Sequence, residues 1–403
     1  MHTASSADVN GLDIEIVTDS QRLHELGGAW RELWTRSSGG GLFDSFEYCR
    51  DAWEVVQEPQ GMRLACLAGW QDGHLVAVWP FVTMRSRRWT HALPLGVVGI
   101  EPHDLVVDGS LDHALWTRAA WSALRERARA DVVHLSFFEE GLGGRTVRSL
   151  PTRATQLEEA VSVRVPVRAQ PDWDAYYATL SKSYRKDFAK SARRLERLGS
   201  LDFEVLGAGD ERIPSLIEWT LAEKRRWADR TGKRGAWLYS ERYQEFLERQ
   251  LADPRHSAEH LMLTLTLDGQ LLATQIGAVG KGVFEAVIAA FDASRADYSP
   301  GARMNDFLVR WAWEHQLDCD FGLGAEPYKT FWSGGRTETV VRGELAVSWW
   351  GAASLAVRGT AQRVSEARTS RLRGAPWSSV RGHRPAPGDS PQLRRRTASN
   401  STL

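Results

Sequence analysis

The sequence predicts an α/β protein with two related halves, each a mixed and mainly antiparallel sheet flanked by helices, followed by a basic C-terminal tail. Three observations support this expectation. The chain has 403 residues, more than one domain usually contains. Two pairs of apolar runs are each joined by an Asp-Gly turn, which is a typical hairpin signal. The segments that follow the two hairpins occur in the same order, which indicates a diverged tandem duplication.

The first half opens with one of these hairpins. Residues 62–69 and 75–84 are apolar runs, and Asp72-Gly73 between them readily takes the positive φ values of a tight turn. The elements expected after it are a helix over 113–129, a strand over 132–138 and a glycine-rich exit over 141–144.

The second half repeats this order. Residues 261–267 and 271–279 form the predicted hairpin, joined by Asp268-Gly269. The elements expected after it are a third strand over 283–291, a helix over 302–316, a strand over 318–322 and a glycine-containing exit over 322–324.

Between the two halves the pattern is helical, over 172–180, 183–198, 213–229 and 240–252. The helix over 183–198 is expected to bury one apolar face made by Tyr184, Phe188, Leu195 and Leu198. The rest of its surface is strongly basic and carries Lys182, Arg185, Lys186, Lys190, Arg193, Arg194 and Arg197.

Composition narrows the function classes. The 51 Lys and Arg balance the 51 Asp and Glu, so no net charge favours DNA binding. Cys49, Cys66 and Cys319 are too few and too far apart for a disulfide framework or a metal site, which fits a reducing cytoplasm. His103-Asp104 has no further ligands at metal-binding spacing, so no metal is expected.

The N-terminus lacks a signal peptide, and no apolar run reaches the ~20 residues that span a bilayer. A cytoplasmic protein is expected.

Residues 1–11 and 353–403 are expected to be disordered. The C-terminal stretch is rich in Arg, Ser, Pro and Gly, a composition that buries too little apolar area to offset the entropy of ordering. Two interpretations stay open for it: a solvated tail without a role, or a segment that contacts RNA or an anionic membrane surface.

A turn between the third strand and the following helix is the first candidate site. Ser299, Pro300 and Gly301 lead directly into the helix, so Ser299, Gly301 and Ala302 can present backbone N–H groups to an anion such as a pyrophosphate, with Arg303 close by. The alternative is an ordinary turn and helix cap.

A second candidate lies just past the next strand, where α/β sheets bind ligands. Asp320 is on that strand, and Tyr328, Lys329 and Trp332 follow it. A Tyr there can donate a proton to a leaving group, and a Lys can hold an anionic or carbonyl oxygen. The alternative is a packed aromatic cluster with a surface Lys.

These motifs occur in an order that one family shares: Phe291-Asp292, Ser299-Pro300-Gly301, Asp320-Phe321-Gly322-x-Gly324 and Tyr328-Lys329-x-x-Trp332. Together with the basic helix, they resemble the GNAT-type acyltransferase domain of the CelD/BcsL group, named for cellulose biosynthesis. The resemblance covers about 172–350 and implies a GNAT domain over 165–352. The earlier part, 12–160, resembles the degenerate GNAT partner that this group shares with the Fem-type aminoacyltransferases, so the expected fold is two tandem GNAT-like domains.

The resemblance also implies site residues. The Ser299–Arg303 turn matches the position that holds the pyrophosphate of an acyl-CoA, although Pro300 and a single Gly301 stand where two glycines are common. A proton donor is expected at Tyr328 and a base at Glu285 or Asp292, each of which could instead be structural. The residues expected to contact the substrate are Asp320, Lys329, Trp332 and Arg185.

The first half is not expected to bind a donor. Its corresponding stretch, 108–112, is acidic and would repel phosphate. It is expected instead to form a wall of the acceptor cleft, to which Trp79, Trp89, His103 and Asp104 contribute.

The leading hypothesis is therefore an acyl-CoA-dependent N-acyltransferase that acts on an amine of a sugar, a polysaccharide precursor or a specialised metabolite, in a pathway such as exopolysaccharide or cellulose biosynthesis. The alternative is a Fem-like transferase that uses aminoacyl-tRNA, to which the basic helix and tail would bind. A third hypothesis is an inert GNAT-fold protein that binds a partner or an anionic membrane surface through its tail.

Overall fold

The computed structural model describes residues 8–357, apart from 10, 87, 98–100, 142–143, 145–146, 148–149, 151 and 153–154. Its strands are β1 Asp8–Val9, β2 Leu12–Val17, β3 Arg63–Leu64, β4 Cys66–Gln71, β5 His74–Trp79, β6 Phe81–Ser86, β7 Trp89–Pro94, β8 Val106–Val107, β9 Val132–Phe138, β10 Thr155–Val165, β11 Leu201–Gly207, β12 Glu259–Leu267, β13 Gln270–Gly280, β14 Val283–Phe291, β15 Asp318–Leu323 and β16 Glu338–Ala346.

The helices cover one or both faces of the sheets. They are α1 Ser20–Arg36, α2 Phe46–Asp51, α3 His113–Glu126, α4 Trp173–Thr179, α5 Lys182–Glu196, α6 Ile213–Thr231, α7 Glu241–Gln250, α8 Pro300–Glu314 and α9 Pro327–Trp332. Short 3-10 helices occur at Leu42–Asp44, Glu58–Gln60, Ala236–Tyr239 and Ala293–Tyr298, and the helical segment of α2 continues as a π-helix over Ala52–Gln57.

Both predicted hairpins are confirmed. β4 pairs with β5 and β12 with β13, and each turn has the predicted Asp-Gly pair in the left-handed region: Asp72 and Gly73 at φ 48° and 77°, Asp268 and Gly269 at 49° and 79°. The expected run over 75–84 is wrong in one respect, because Pro80 lies between β5 and β6, which belong to different sheets. Since proline has no N–H to donate to a ladder, it marks the change of sheet.

The two halves have the same order of elements, which confirms the tandem arrangement. Strand β2, helices α1 and α2, the hairpin β4–β5, strand β8, helix α3 and strand β9 correspond in order to β11, α6 and α7, β12–β13, β14, α8 and β15. The structure is a mixed α/β fold in which one sheet has the order β1-β2-β4-β5-β8 and the other β11-β12-β13-β14-β15-β10-β16-β9-β7-β6-β3.

The halves exchange strands. β10, which ends the first half, lies between β15 and β16 of the second half and pairs antiparallel with both. β16, which ends the second half, pairs in turn with β9 of the first half. The 11-stranded sheet therefore runs through both halves, and separating them would break these ladders. The exchange also places β10 across the expected boundary at 160–165.

The termini differ from the expectation. Asp8 and Val9 form a strand that pairs with β2, so the first eleven residues are not wholly disordered. Residues 349–357 form a helix in which Leu355 is buried, so the start of the expected tail over 353–357 is ordered by packing. Residues 358–403 lie outside the described residues. None of the helices in the described part of the chain combines the length and hydropathy that a membrane-spanning segment needs.

Candidate active site

The strands β14 and β15 are paired at one end only. Their parallel register joins Val283 to Asp318, Phe284 to Cys319 and Glu285 to Asp320, and it stops there. Beyond that pair, β14 continues to Phe291 alongside β13, whereas β15 pairs with β10. The two strands therefore diverge from Glu285 and Asp320 onward, which opens a slot in the sheet.

A β-bulge lies at the start of this slot. Ile276 of β13 faces Ile288 of β14, and the next residue, Gly277, faces Ala286, so Val287 has no partner on β13. A bulge leaves the extra residue outside the ladder and re-aims the backbone around it. The backbone N–H groups of β14 two residues beyond Glu285 thus lie where the strands separate, and they can donate to a carbonyl oxygen.

Glu285 lies at the apex of the slot and is partly buried. Its Oε1 accepts a hydrogen bond of 2.7 Å from the backbone N–H of Leu42, which belongs to the first half. Burial raises the pKa of Glu285 to about 7, and the neighbouring charge of Asp320 adds to this, whereas the Leu42 bond and Arg164 oppose it. A carboxylate with this pKa can accept a proton near neutral pH.

Asp320 is buried, with 7% of its surface exposed. Burial raises the pKa of its carboxyl group, although Arg164 and the hydrogen bond of 2.7 Å from the Gly322 N–H act in the opposite direction. The structure therefore brings Glu285 and Asp320, two of the predicted site residues, together in one place of low polarity.

Lys329 is a third predicted site residue, and it lies close enough to Asp320 to be affected by its charge. It is buried; its Nζ donates to the Leu323 carbonyl at 2.5 Å and forms an ion pair with Glu326 at 3.2 Å. Burial lowers the pKa of Lys329. Lys224 of α6 lies close enough to be affected by it: burial and the charge of Lys329 lower the pKa of Lys224 to about 8.

Tyr328 lies beside Phe321 of β15, with the two rings edge to face and their centroids 6.3 Å apart. Tyr328 is 36% exposed. Burial of its hydroxyl end, together with the charge of Glu326, raises the pKa of Tyr328 above its ordinary value. The hydroxyl is therefore protonated at neutral pH and can donate a hydrogen bond.

The turn before α8 has fewer free donors than the sequence predicts. Ser299 adopts φ 55°, a left-handed conformation, and its carbonyl accepts the N–H groups of Ala302 at 3.0 Å and Arg303 at 3.3 Å. Pro300 has no N–H. At most one backbone N–H, that of Gly301, is therefore left for an anion at this helix start.

Arg303 does not face the turn. Its guanidinium binds Asp306 at 2.8 Å and Glu196 at 3.2 Å, and it lies over the rings of Phe188 and Phe203. The expected role beside a pyrophosphate is therefore replaced by a packing role between α8 and α5, because two carboxylates already neutralise the charge.

Asp292 also has a structural place. Its Oδ1 accepts the backbone N–H of Ser294 at 2.8 Å and thus caps the 3-10 helix Ala293–Tyr298. This is the turn-acceptor interpretation that the sequence left open, and Asp292 does not join Glu285 at the slot apex.

The basic helix α5 provides the positive charge near the turn. It buries Phe188 and Leu195 as predicted, while Leu198 is 37% exposed. Ser191 donates to the Tyr298 carbonyl at 3.0 Å, and Arg194 lies over the Tyr298 ring at 5.2 Å. The exposed cations that extend from this contact along the helix are Lys182, Lys186, Lys190, Arg193, Arg194 and Arg197.

Two predicted substrate contacts serve the fold instead. Trp332 is 2% exposed in the core of the second half, and its carbonyl accepts the Tyr176 hydroxyl at 2.5 Å. Arg185 donates to the carbonyls of Leu180 and Ala178 and thereby closes the end of α4. Both side chains are therefore engaged in contacts within the second half.

Of the four first-half residues predicted to contribute to the acceptor cleft, three lie together and one does not. Trp79, His103 and Asp104 line one small cavity, bounded further by Leu105 and Phe137 among others. His103 is held by Asp44, with Nδ1 and Oδ1 3.1 Å apart. Trp89 is elsewhere and packs on Trp350 of the last helix, with ring centroids 5.7 Å apart.

The acidic stretch of the first half is structural. Asp112 caps α3 by accepting the N–H groups of Ala114 and Leu115, and Asp108 pairs with Arg36 at 2.9 Å. These contacts hold both carboxylates within the fold of the first half.

The first-half loop that reaches the slot was not predicted from the sequence. In this loop Leu42 and Gly41 contact Glu285 across the two halves. Lys224, near Lys329, was not predicted either. The run Gly39-Gly40-Gly41 was a usable signal, because consecutive glycines often mark a close approach of backbone to another group.

Part of the chain matches a known protein family. Residues 182–330 match the family model described as an acetyltransferase (GNAT) domain. No curated protein matches the chain. The fold is similar to that of FemX, with a TM-score of 0.52 and 12% identity over 84% of this chain and 96% of that chain.

Two further solved structures are similar. A conserved protein of unknown function from Bacteroides thetaiotaomicron has a TM-score of 0.51 and 10% identity, covering 81% of this chain and 99% of that chain. A tandem GNAT protein from the clavulanic acid biosynthesis pathway has a TM-score of 0.45 and 10% identity, covering 83% and 99%. Residues 182–330 thus match a GNAT acetyltransferase domain, and this match supports an acyltransferase activity.

Proposed function

We propose that the chain transfers an acyl group from an acyl-CoA thioester to an amine, with Glu285 as the base. The observation that carries this proposal is the position of Glu285 at the apex of the β14–β15 slot, where burial raises its pKa to about 7. An amine acceptor is mostly protonated at neutral pH and must lose a proton before it can attack. A base with a pKa near 7 suits that task.

The proposed reaction uses the slot as follows. Glu285 removes a proton from the acceptor ammonium group, directly or through a water molecule. The amine nitrogen then bonds to the carbonyl carbon, the carbon–sulfur bond breaks, and the thiolate takes a proton from the Tyr328 hydroxyl. The second proton that the nitrogen loses as the amide forms restores that hydroxyl. In this proposal, backbone N–H groups at the Val287 bulge would donate to the carbonyl oxygen, and Tyr328, which packs on Phe321 of β15, would serve the departing sulfur.

Acceptor binding would depend on the buried carboxylate of Asp320. It lies next to Glu285, and burial raises its pKa, so a cation close to it would be stabilising. This favours an acceptor whose amine arrives as an ammonium group. An amine of a sugar, a polysaccharide precursor or a specialised metabolite fits, including an acceptor in exopolysaccharide or cellulose biosynthesis.

Donor binding would depend on α5 more than on the turn. The exposed cations of that helix reach the turn at Tyr298, where Arg194 lies over the ring, and Gly301 adds a backbone N–H. Phosphate groups of a CoA would lie across this surface. The acyl end would enter the slot between β14 and β15.

A second donor class is supported by one observation. The turn offers at most one N–H and Arg303 is already paired, so the usual pyrophosphate cradle is weak, whereas the cationic face of α5 is long and exposed. Such a face suits a polyanion. An aminoacyl-tRNA is therefore the alternative donor.

The test is a donor panel with purified protein and amine acceptors. Release of free thiol from acetyl-CoA or a longer acyl-CoA, dependent on the amine, is expected, and Glu285→Gln should lower it strongly while the exposed Glu259→Gln should not. Transfer from aminoacyl-tRNA alone would replace the donor assignment. Full turnover by Glu285→Gln would remove the assignment of the base.

A further inference from the structure

The first half contacts the candidate base through one loop, segment 37–44. Within it, the Leu42 N–H donates to Glu285 Oε1 at 2.7 Å. Gly41 is so close that a Cβ there would meet Oε1 at 3.0 Å and Oε2 at 3.1 Å. The backbone of the first half thus forms one wall around the carboxylate of the second.

This segment is held in place from several sides. Trp34 donates its indole N–H to the Gly41 carbonyl at 2.9 Å, and the Gly41 N–H donates to Asp44 at 3.1 Å. Lys281, on the turn before β14, donates to the carbonyls of Ser37 at 3.2 Å and Gly39 at 2.6 Å. These contacts hold the Leu42 N–H in position before substrate binds. Supporting contacts of this kind keep a catalytic group in its productive geometry.

We propose that segment 37–44 of the first half is a positioning element for Glu285, which orients the carboxylate toward the amine acceptor through the Leu42 N–H and the backbone of Gly41. This inference rests on the proposed function of Glu285. It gives the first half a part in the chemistry without a donor site of its own.

The charges around Glu285 come from four elements. Asp320 lies on β15, Arg164 on β10, Asp44 in segment 37–44 and Lys281 at the turn before β14. The carboxylates Asp320 and Asp44 raise the pKa of Glu285, whereas Arg164 and the Leu42 hydrogen bond lower it. Loss of the Leu42 bond alone therefore makes Glu285 a base only at higher pH.

Gly41→Ala is the sharpest variant. Gly41 has φ −91° and ψ −157°, outside the left-handed region that favours glycine, and the three atoms nearest to an added Cβ all belong to Glu285. Gly28→Ala is the matched control, because Gly28 is exposed on α1 of the same half and its Cβ would meet nothing within 4 Å.

Activity is measured against pH for both variants and the parent chain. We expect Gly41→Ala to move the acid limb of kcat/KM to higher pH by about one unit, the size of one lost hydrogen bond to a charged group. Gly28→Ala should leave the limb in place. A Gly41→Ala limb at the parental pH, in a chain whose limb is abolished by Glu285→Gln, would overturn the proposal and leave the proposed function standing.

A second measurement does not depend on turnover. The protonation of Glu285 can be followed by carbon-13 NMR of labelled glutamate, assigned with Glu285→Gln. In Gly41→Ala the Glu285 signal should titrate at higher pH than in the parent, and an unchanged titration would refute positioning by segment 37–44. If Glu285→Gln keeps full activity, the role of Glu285 fails, and a positioning element for that base fails with it.

Discussion

Glu285 and Asp320 are the last residues to face each other across the parallel strands β14 and β15. Their carboxyl groups lie in the same place of low polarity, and the charge of Asp320 makes ionisation of Glu285 harder. Two carboxyl groups this close do not readily ionise together, because each negative charge opposes the other. The pair therefore defines both the apex of the slot and the pH at which Glu285 can accept a proton.

The rate should follow the ionisation of Glu285. Because a base must be deprotonated to act and the pKa of Glu285 is about 7, kcat/KM should rise as the pH increases through about 7 and then level off. Glu285→Gln should lower kcat/KM by about 10²- to 10⁴-fold and abolish that acid limb. Steady-state kinetics between pH 5 and 9 check this, and a limb that survives in Glu285→Gln would contradict it.

Asp320→Asn should shift the same limb in the opposite direction to Gly41→Ala. Removal of the Asp320 charge eliminates a cause of the raised pKa of Glu285, so the acid limb should move to lower pH. The asparagine can still accept the Gly322 N–H, so the strand end should be kept. The KM for the acceptor should rise as well. A limb that moves to higher pH would show that Asp320 does not act on Glu285 through its charge.

Folding stability should show the cost of holding Glu285 ionised. The unfolded chain has an ordinary glutamate pKa, whereas the folded pKa is about 7, so the folded state binds this proton more tightly. The stabilisation that comes from this tighter proton binding is fully present below the ordinary pKa of a glutamate, and it is lost as the pH rises through about 7. Glu285→Gln should then be more stable than the parent at pH 8 by about 1 to 2 kcal/mol, and little different at pH 4.

Urea unfolding at the two pH values measures this difference. Glutamine keeps an acceptor for the Leu42 N–H, so packing is nearly unchanged and the comparison isolates the charge. Equal stabilities of the two chains at pH 8 would mean that solvent reaches the carboxylate freely.

Local chemistry was sufficient to predict the hairpins. Asp72-Gly73 and Asp268-Gly269 take the left-handed conformations that their side chains allow, and the strands follow from the apolar runs on either side. β14 begins and ends where the sequence predicts because the turn before it and Asp292 after it limit the run. Short-range signals of this kind do not depend on the rest of the chain.

Contacts between distant segments were not predictable in this way. The mixed-charge strand β10 has no clear alternation of apolar residues, and its place between β15 and β16 depends on both halves being present. The contact of Leu42 with Glu285 joins residues 243 positions apart. Arg303 and Trp332 fit the motif. The partners that they bind, Glu196 and Tyr176, are distant in sequence and are brought to them only by the packed fold.

The cationic face of α5 should affect the donor more than the acceptor. Lys190→Glu with Arg194→Glu places two negative charges beside the turn at Tyr298, so the KM for the donor should rise at least tenfold with a smaller change in kcat. Arg118→Glu with Arg125→Glu, both on the exposed surface of α3, changes the net charge by the same amount and is the control. The parent KM should also rise with salt, since screening weakens exposed charges. Equal donor KM values for the double variant and the control would exclude this surface.

Trp332 should matter for folding and not for acceptor recognition. Its ring is 2% exposed among Trp173, Tyr177 and Phe331, so Trp332→Ala should lower the free energy of unfolding by about 3 to 5 kcal/mol. Trp332→Phe keeps most of the apolar volume and the carbonyl that accepts the Tyr176 hydroxyl, and it should cost less. Urea unfolding gives the free energies, and kinetics of Trp332→Phe give the acceptor KM. A KM that rises severalfold in this variant while its stability stays near that of the parent would instead place Trp332 in the acceptor site.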